Sequence, residues 1–285
     1  MDPITFISLI ILGFFYAILA SMIGIGGGLL YVPTLDFGYG LETIDATFVS
    51  SFVIIFTSSS AFLNFRSQKR IDFQTARTYL LYAVPGVLIS SYFADDVPRD
   101  TLRQLFGILV VAAAIRGILK ARKMDNDGNN YRITEEGPGI ENRKLVDSDG
   151  NTHEYMVKTG MGKYLAFLGG FVAGLLGIGG GIIYVPLLTT ISGIPIHIGT
   201  ATSTTMIVVV SMIAVSIRTG SRISDGTFDF DLWINYAIPL VIGSVIGARY
   251  GSTRAKKLDS KVVLTLFWFV AFIAGLRMLI NPYIS

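Results

Sequence analysis

The amino-acid sequence predicts an all-α polytopic membrane protein made of two homologous four-segment repeats, each with a glycine-broken first helix, in inverted relation. Three observations predict it. Charge is scarce: 15% of the 285 residues are charged against 52% hydrophobic, where soluble domains carry about 25% charge. Charge is also uneven, with 54 consecutive residues between Lys163 and Arg218, and 33 between Asp2 and Asp36, holding no Asp, Glu, Lys or Arg. Finally, the chain contains one stretch twice. Residues 20–33 read ASMIGIGGGLLYVP and residues 173–186 read AGLLGIGGGIIYVP, with nine of fourteen positions identical at an offset of 153.

A helix rises 1.5 Å per residue, so about 30 Å of hydrocarbon takes roughly 20 residues. Apolar segments of that order run over residues 4–35, 46–65, 78–94, 104–119, 164–191, 200–217, 232–248 and 262–282. Lipid offers backbone N–H and C=O groups no partners, so these segments are helices. The first begins without a basic leader and is expected to stay as a span. The first and fifth are too long for one crossing, and glycines break both. Basic residues cluster at 66–77, 116–123 and 249–261. The positive-inside rule places all three clusters in the cytoplasm only if the broken segments re-enter or add a half-pair; eight plain crossings put the third cluster outside.

The division follows: 1–119 is the first transmembrane repeat, 120–159 a hydrophilic cytoplasmic loop and 160–285 the second repeat. Residues 120–163 hold 16 of the chain's 43 charged residues. Their turn-rich NDGNN, EEGPG and DSDGNTHE stretches read as a linker or a small ordered lobe. Asp125 to Gly128 and Asp147 to Gly150 read as ordinary turns, because neither has the position-12 Glu of a calcium loop.

The internal likeness extends beyond the glycines. Ala46-Thr47 answers to Ala201-Thr202 after a two-residue gap, Asp72 to Asp229, Ala83-Val-Pro85 to Ala237-Ile-Pro239, and Arg116 to Arg277. Under this alignment Glu42 stands opposite His197, and Phe48 opposite Ser203. Duplicated halves with interrupted helices fit a secondary transporter whose site lies between them; close helix packing is the simpler reading of the glycines. Gly26, Gly27, Gly28, Gly179, Gly180 and Gly181 would expose backbone N–H groups attractive to an anion. The hydroxyls of Thr47, Thr200, Thr202 and Ser203 would add neutral donors, although each could equally bond its own helix. His197 is a substrate, proton or capping residue. Arg116 and Arg277 either snorkel or recruit anions, and Asp72 and Asp229 either cap helices or couple protons.

Other classes fall away. Without cysteine there is no disulfide framework, thiol nucleophile or Cys-based zinc site. The two histidines, His153 and His197, make no metal-ligand spacing, and neither metal nor cofactor is expected. The net charge of +3 describes orientation in a bilayer, not a nucleic-acid surface. No protease, esterase or P-loop motif occurs, so the chain is not read as an enzyme.

Gly24-Ile-Gly-Gly-Gly28 with Val32-Pro33, Gly177-Ile-Gly-Gly-Gly181 with Val185-Pro186, the His197-x-Gly-Thr200-Ala201-Thr202-Ser203 run, and the paired Asp-aromatic dipeptides resemble the TauE/SafE sulfite-exporter family of membrane transporters. The likeness spans the chain outside 124–158. It implies a multi-pass protein of the prokaryotic plasma membrane that moves sulfite, sulfonates or related organosulfur anions without ATP. Proton and sodium coupling both stay open, as do monomer and homodimer. An anion channel and a non-transporting receptor are the alternatives.

Overall fold

Glycines set where the chain turns. α1 (Pro3–Ile23) starts on a proline, tolerated in a first turn because that N–H has no helical partner. It stops at Gly24, whose φ of 81° lets its N–H close on the Ala20 carbonyl. Gly26 and Gly27 follow at φ 89° and 94°, and α2 (Gly28–Pro33) then runs back along α1. The Tyr16 hydroxyl meets Thr34 Oγ1 at 3.1 Å and Ser8 Oγ meets the Tyr39 hydroxyl at 2.8 Å. The second half does the same. α6 (Gly162–Leu176) stops at Gly177, Gly179 and Gly180 both take φ 73°, and α7 (Gly181–Pro186) returns. Pro33 and Pro186, each lacking a donor, open the returning arm into a π turn at Thr34–Gly38 and Leu187–Ile191. Both overlong segments are therefore helical hairpins whose second arms turn back toward the end from which the first arms start.

The computed structural model describes residues 2–123, 140–254 and 260–280. The turn expected at Asp125 to Gly128, and Lys256 and Lys257 of the third basic cluster, lie outside those residues. The remaining helices are α3 (Thr43–Ser67), α4 (Phe73–Phe93), α5 (Arg99–Lys123), α8 (Ile196–Ser224), the short α9 (Phe230–Leu232), α10 (Ile238–Arg254) and α11 (Ser260–Ile280). Each predicted segment coincides with helix over most of its described residues, and among the described residues five helices are long and apolar enough to cross a membrane. Their outer faces are apolar: Ile4, Ile7, Ile11 and Phe15 form an exposed stripe along α1.

Small residues decide the packing. Gly13, Gly243, Gly247 and Gly251 let α10 lie parallel on α1, with Gly13 against Leu240 and Gly251 against Ile18. Gly86, Gly170 and Gly174 do this for α4 and α6. α5 and α11 run antiparallel, Gly107 against Leu279 and Gly117 against Trp268. α3 and α8 are also antiparallel, since Thr47 near the start of α3 bonds Arg218 near the end of α8. Arg66, Lys69, Arg70, Arg249 and Arg254 thus share one end of the bundle with the last turns of α5. Asp36, Asp45, Asp95 and Asp229 share the other.

The hydrophilic loop holds two strands that the sequence reading does not give. β1 (Ile140–Val146) and β2 (Thr152–Lys158) pair antiparallel, with Ile140 opposite Lys158. Asp147 closes the turn: its Oδ1 accepts the N–H groups of Asp149 and Asn151, each at 2.9 Å. Burial opposes ionisation there, but hydrogen bonds from Asn151, His153 and Asp149 outweigh it and hold the carboxyl well below the usual range. The strands dock on the helices. Val157 is fully buried, the Ser148 N–H donates to the Gln68 carbonyl at 3.0 Å, and the Lys158 N–H donates to the Ser192 carbonyl at 3.2 Å.

Candidate functional site

The two glycine turns meet at mid-height of α3 and α8. A Cβ built on Gly28 would lie 2.5 Å from the Ile178 Cα, and one on Gly181 would lie 2.5 Å from the Ile25 Cα. Each hairpin tip therefore rests on the backbone of the other. Ile54 and Ile207 cover both tips: Gly26 and Gly179 each face the Cγ2 atoms of both isoleucines. The N–H groups of Gly26, Gly27, Gly179 and Gly180 donate to no backbone carbonyl among the described residues.

The hydroxyls seal the tips from each side. Ser203 Oγ donates to the Gly24 carbonyl at 2.9 Å, and Ser50 Oγ donates to the Gly177 carbonyl at 2.8 Å. Gly24 packs on Thr200, and Gly177 packs on Thr47. These reciprocal contacts pair Thr47 with Thr200, Ser50 with Ser203 and Ile54 with Ile207, all at an offset of 153. The two-residue gap in the sequence alignment is thereby corrected. Shared Ala-Thr dipeptides suggested it, but contacts with the glycines fix the register without it. Ser203 consequently answers to Ser50 and not to Phe48, and His197 answers to Ile44 and not to Glu42.

The expected site residues are brought together in part. Thr47, Thr200, Ser203 and the six glycines surround the crossing. Thr47 Oγ1 donates to the Ile44 carbonyl, and Thr200 Oγ1 reaches the Ile23 carbonyl at 3.4 Å. Thr202 lies beyond the tips, where its Oγ1 accepts the Asp72 N–H at 3.0 Å. His197 is exposed in the first turn of α8. Arg116 and Arg277 are exposed on α5 and α11 near opposite ends of the bundle, Arg277 lying 4.8 Å from the Phe37 ring centroid. Asp72 caps α4 through the Thr75 N–H, and Asp229 caps α9 through the Asp231 N–H.

Two polar clusters bracket the crossing. At the end holding the strands, Asp72 accepts the Tyr155 hydroxyl at 3.1 Å and lies 3.9 Å from Arg143 Nε. Burial, then the Asp72 charge, pushes the Tyr155 hydroxyl far up, so it stays a donor. At the opposite end, fully buried Arg218 bonds Asp95, Thr47 Oγ1 and the Ile44 carbonyl. One turn on, Arg222 bonds Asp95 and Asp45 and stacks 4.4 Å from the Phe48 ring centroid. Sequence reasoning missed this second cluster. Its available signal was two arginines four residues apart on one helix face, closing the uncharged run.

The family model for sulfite exporter TauE/SafE matches residues 9–278. The chain is 28% identical to the "probable membrane transporter protein YunE" of Bacillus subtilis, over 99% of this chain and 100% of that one. It is 25% identical to a "probable membrane transporter protein" of Methanocaldococcus jannaschii, over 95% and 94%. It is 22% identical to MamO of Paramagnetospirillum magneticum, over 96% of this chain and 44% of that one. No solved structure matches the chain. A profile match over nearly all residues, on a bundle of apolar helices with paired glycine turns, makes this a multi-pass membrane transporter, and the chain belongs to the TauE/SafE sulfite exporter family.

Proposed function

We propose that the chain is a secondary transporter of small anions, sulfite, sulfonates or related organosulfur anions, working by alternating access around the glycine crossing. One observation carries this reading. Backbone N–H groups at Gly26, Gly27, Gly179 and Gly180 are free of backbone carbonyls at the centre of the bundle, where the nearest side chains are apolar or hydroxyl-bearing. A buried anion is costly unless several donors meet it. Neutral amides supply those donors without the tight grip of a buried arginine, which suits a carrier that must release its cargo.

The two halves are read as an inverted repeat. A two-fold axis in the membrane plane makes equivalent helices antiparallel, as α3 is to α8 and α5 is to α11, while an axis along the membrane normal would make them parallel. The basic end is placed in the cytoplasm of a prokaryotic cell, together with the strands. The Arg218–Asp95 cluster then closes the outer side and the Asp72–Tyr155 cluster the inner side, an occluded arrangement.

Selectivity tests the reading. In proteoliposomes, uptake of labelled sulfite should saturate and be inhibited by alkylsulfonates more strongly than by acetate or chloride. Uptake that carboxylates inhibit equally, with sulfonates inert, would remove the sulfur-anion assignment.

A further inference from the structure

We infer that Ser58 and Ser211 are the side chains that bind the transported oxyanion, beneath a closure formed by Ile54 and Ile207. This deepens the transport reading and rests on it. Buried hydroxyls are almost always hydrogen-bonded, and α3 and α8 largely obey: Thr47, Ser50, Ser51, Thr57, Ser203, Thr204 and Thr205 each donate to a backbone carbonyl. Ser58 and Ser211 do not. Each is 2% exposed, and neither Oγ has a hydrogen-bond partner among the described residues.

Their positions are not arbitrary. They are separated by 153 residues, the offset that relates the glycine turns, the capping serines and the two isoleucines. Each lies one helical turn after its isoleucine and on the same face. Ser211 Oγ sits 3.4 Å from where a Cβ on Gly179 would be, the Cγ2 atoms of Ile207 and Ile54 being the other close neighbours. Ser211 Oγ therefore stands beside the Gly179 tip, and the 153-residue offset gives Ser58 the matching position on α3, while the tip N–H groups donate to no backbone carbonyl among the described residues. Two O–H and several N–H donors around one apolar centre suit a small oxyanion with acceptors on several sides, such as sulfite or a sulfonate head. The backbone N–H groups, which are donors only, offer nothing to a cation. In this conformation Ile54 and Ile207 fill the space over the glycines, so loading requires that one of them swing aside.

The test pairs Ser58→Ala and Ser211→Ala with Ser58→Thr and Ser211→Thr, reading sulfite half-saturation in proteoliposomes and melting temperature in detergent. Loss of one hydrogen bond to a charged ligand should raise half-saturation about tenfold or more in each alanine variant, and threonine should restore much of it. Melting temperature should not fall in the alanine variants, since no protein hydrogen bond is lost. Ser203→Ala, which strips the Gly24 carbonyl of its donor, should lower it. Saturable wild-type uptake with unchanged half-saturation in both alanine variants would overturn the serine assignment alone and leave the hydroxyls to ordered water. Absence of saturable wild-type uptake of sulfite or any sulfonate would overturn the transport reading, and this assignment with it.

Discussion

At the residue scale the glycines separate into kinds that the sequence cannot distinguish. Gly28 and Gly181 have ordinary φ values but face the backbone of the opposite tip. A methyl group at either position must push two hairpins apart. Gly28→Ala should destabilise by about 3 kcal/mol, read as a lowered melting temperature with loss of uptake. Gly220 lies in α8 with nothing within 4 Å of its Cβ position, so Gly220→Ala should stabilise by about 0.5–1 kcal/mol and leave uptake intact. Equal effects at the two positions would show that the crossing is not close-packed. Ile54 and Ile207 carry a second prediction. Replacing both with alanine should admit solutes past the closed tips, measured as sulfite leak that no longer saturates; saturable wild-type behaviour would remove them as a closure.

The glycine run was legible because three consecutive glycines, followed by Tyr-Val-Pro, have few structural uses in an apolar segment. The partners of the hydroxyls were not. Ser50 and Ser203 look like any helix serine until the fold brings Gly177 and Gly24 to them, 127 and 179 residues away.

At the scale of elements, the helices followed from span length and apolar runs, while the strands were hidden. Residues 140–158 alternate only weakly, with charged side chains on both strands, and their order depends on docking: Val157 buries fully against helices distant in sequence. Removing the Tyr155 hydroxyl should loosen that docking. Tyr155→Phe leaves Asp72 without one donor and is expected to raise amide exchange across 140–158 by several-fold, with the helices unaffected. Unchanged exchange would mean that the backbone bonds at Gln68 and Ser192 hold the strands alone. The opposite cluster should respond more steeply. Asp95→Asn leaves fully buried Arg218 short of its charge partner, and breaking a buried pair in this way costs about 3 kcal/mol. A melting temperature within a degree of wild type would show that Thr47 and the Ile44 carbonyl suffice.

At the scale of the whole molecule, duplication and charge placement were both visible in the sequence, but the choice between crossing schemes was not. The proposed scheme rests on α2 and α7 turning back. Because the chain has no cysteine, single cysteines at Gln68, Ser148 and Arg254 on one end, and at Asp100 and Asp225 on the other, can be labelled from either side of the membrane. An impermeant thiol reagent should reach the first three only from the cytoplasm and the last two only from outside. Mixed labelling within either group would contradict the inverted arrangement.

The central claim is that an anion crosses by alternating exposure of one site at the glycine crossing, and counterflow reads this most directly. Proteoliposomes preloaded with unlabelled sulfite and diluted into a trace of labelled sulfite should accumulate label transiently above its equilibrium level, because an occupied carrier returns loaded. Label that only rises to equilibrium at a rate independent of the internal load would be the behaviour of a channel and would contradict the account.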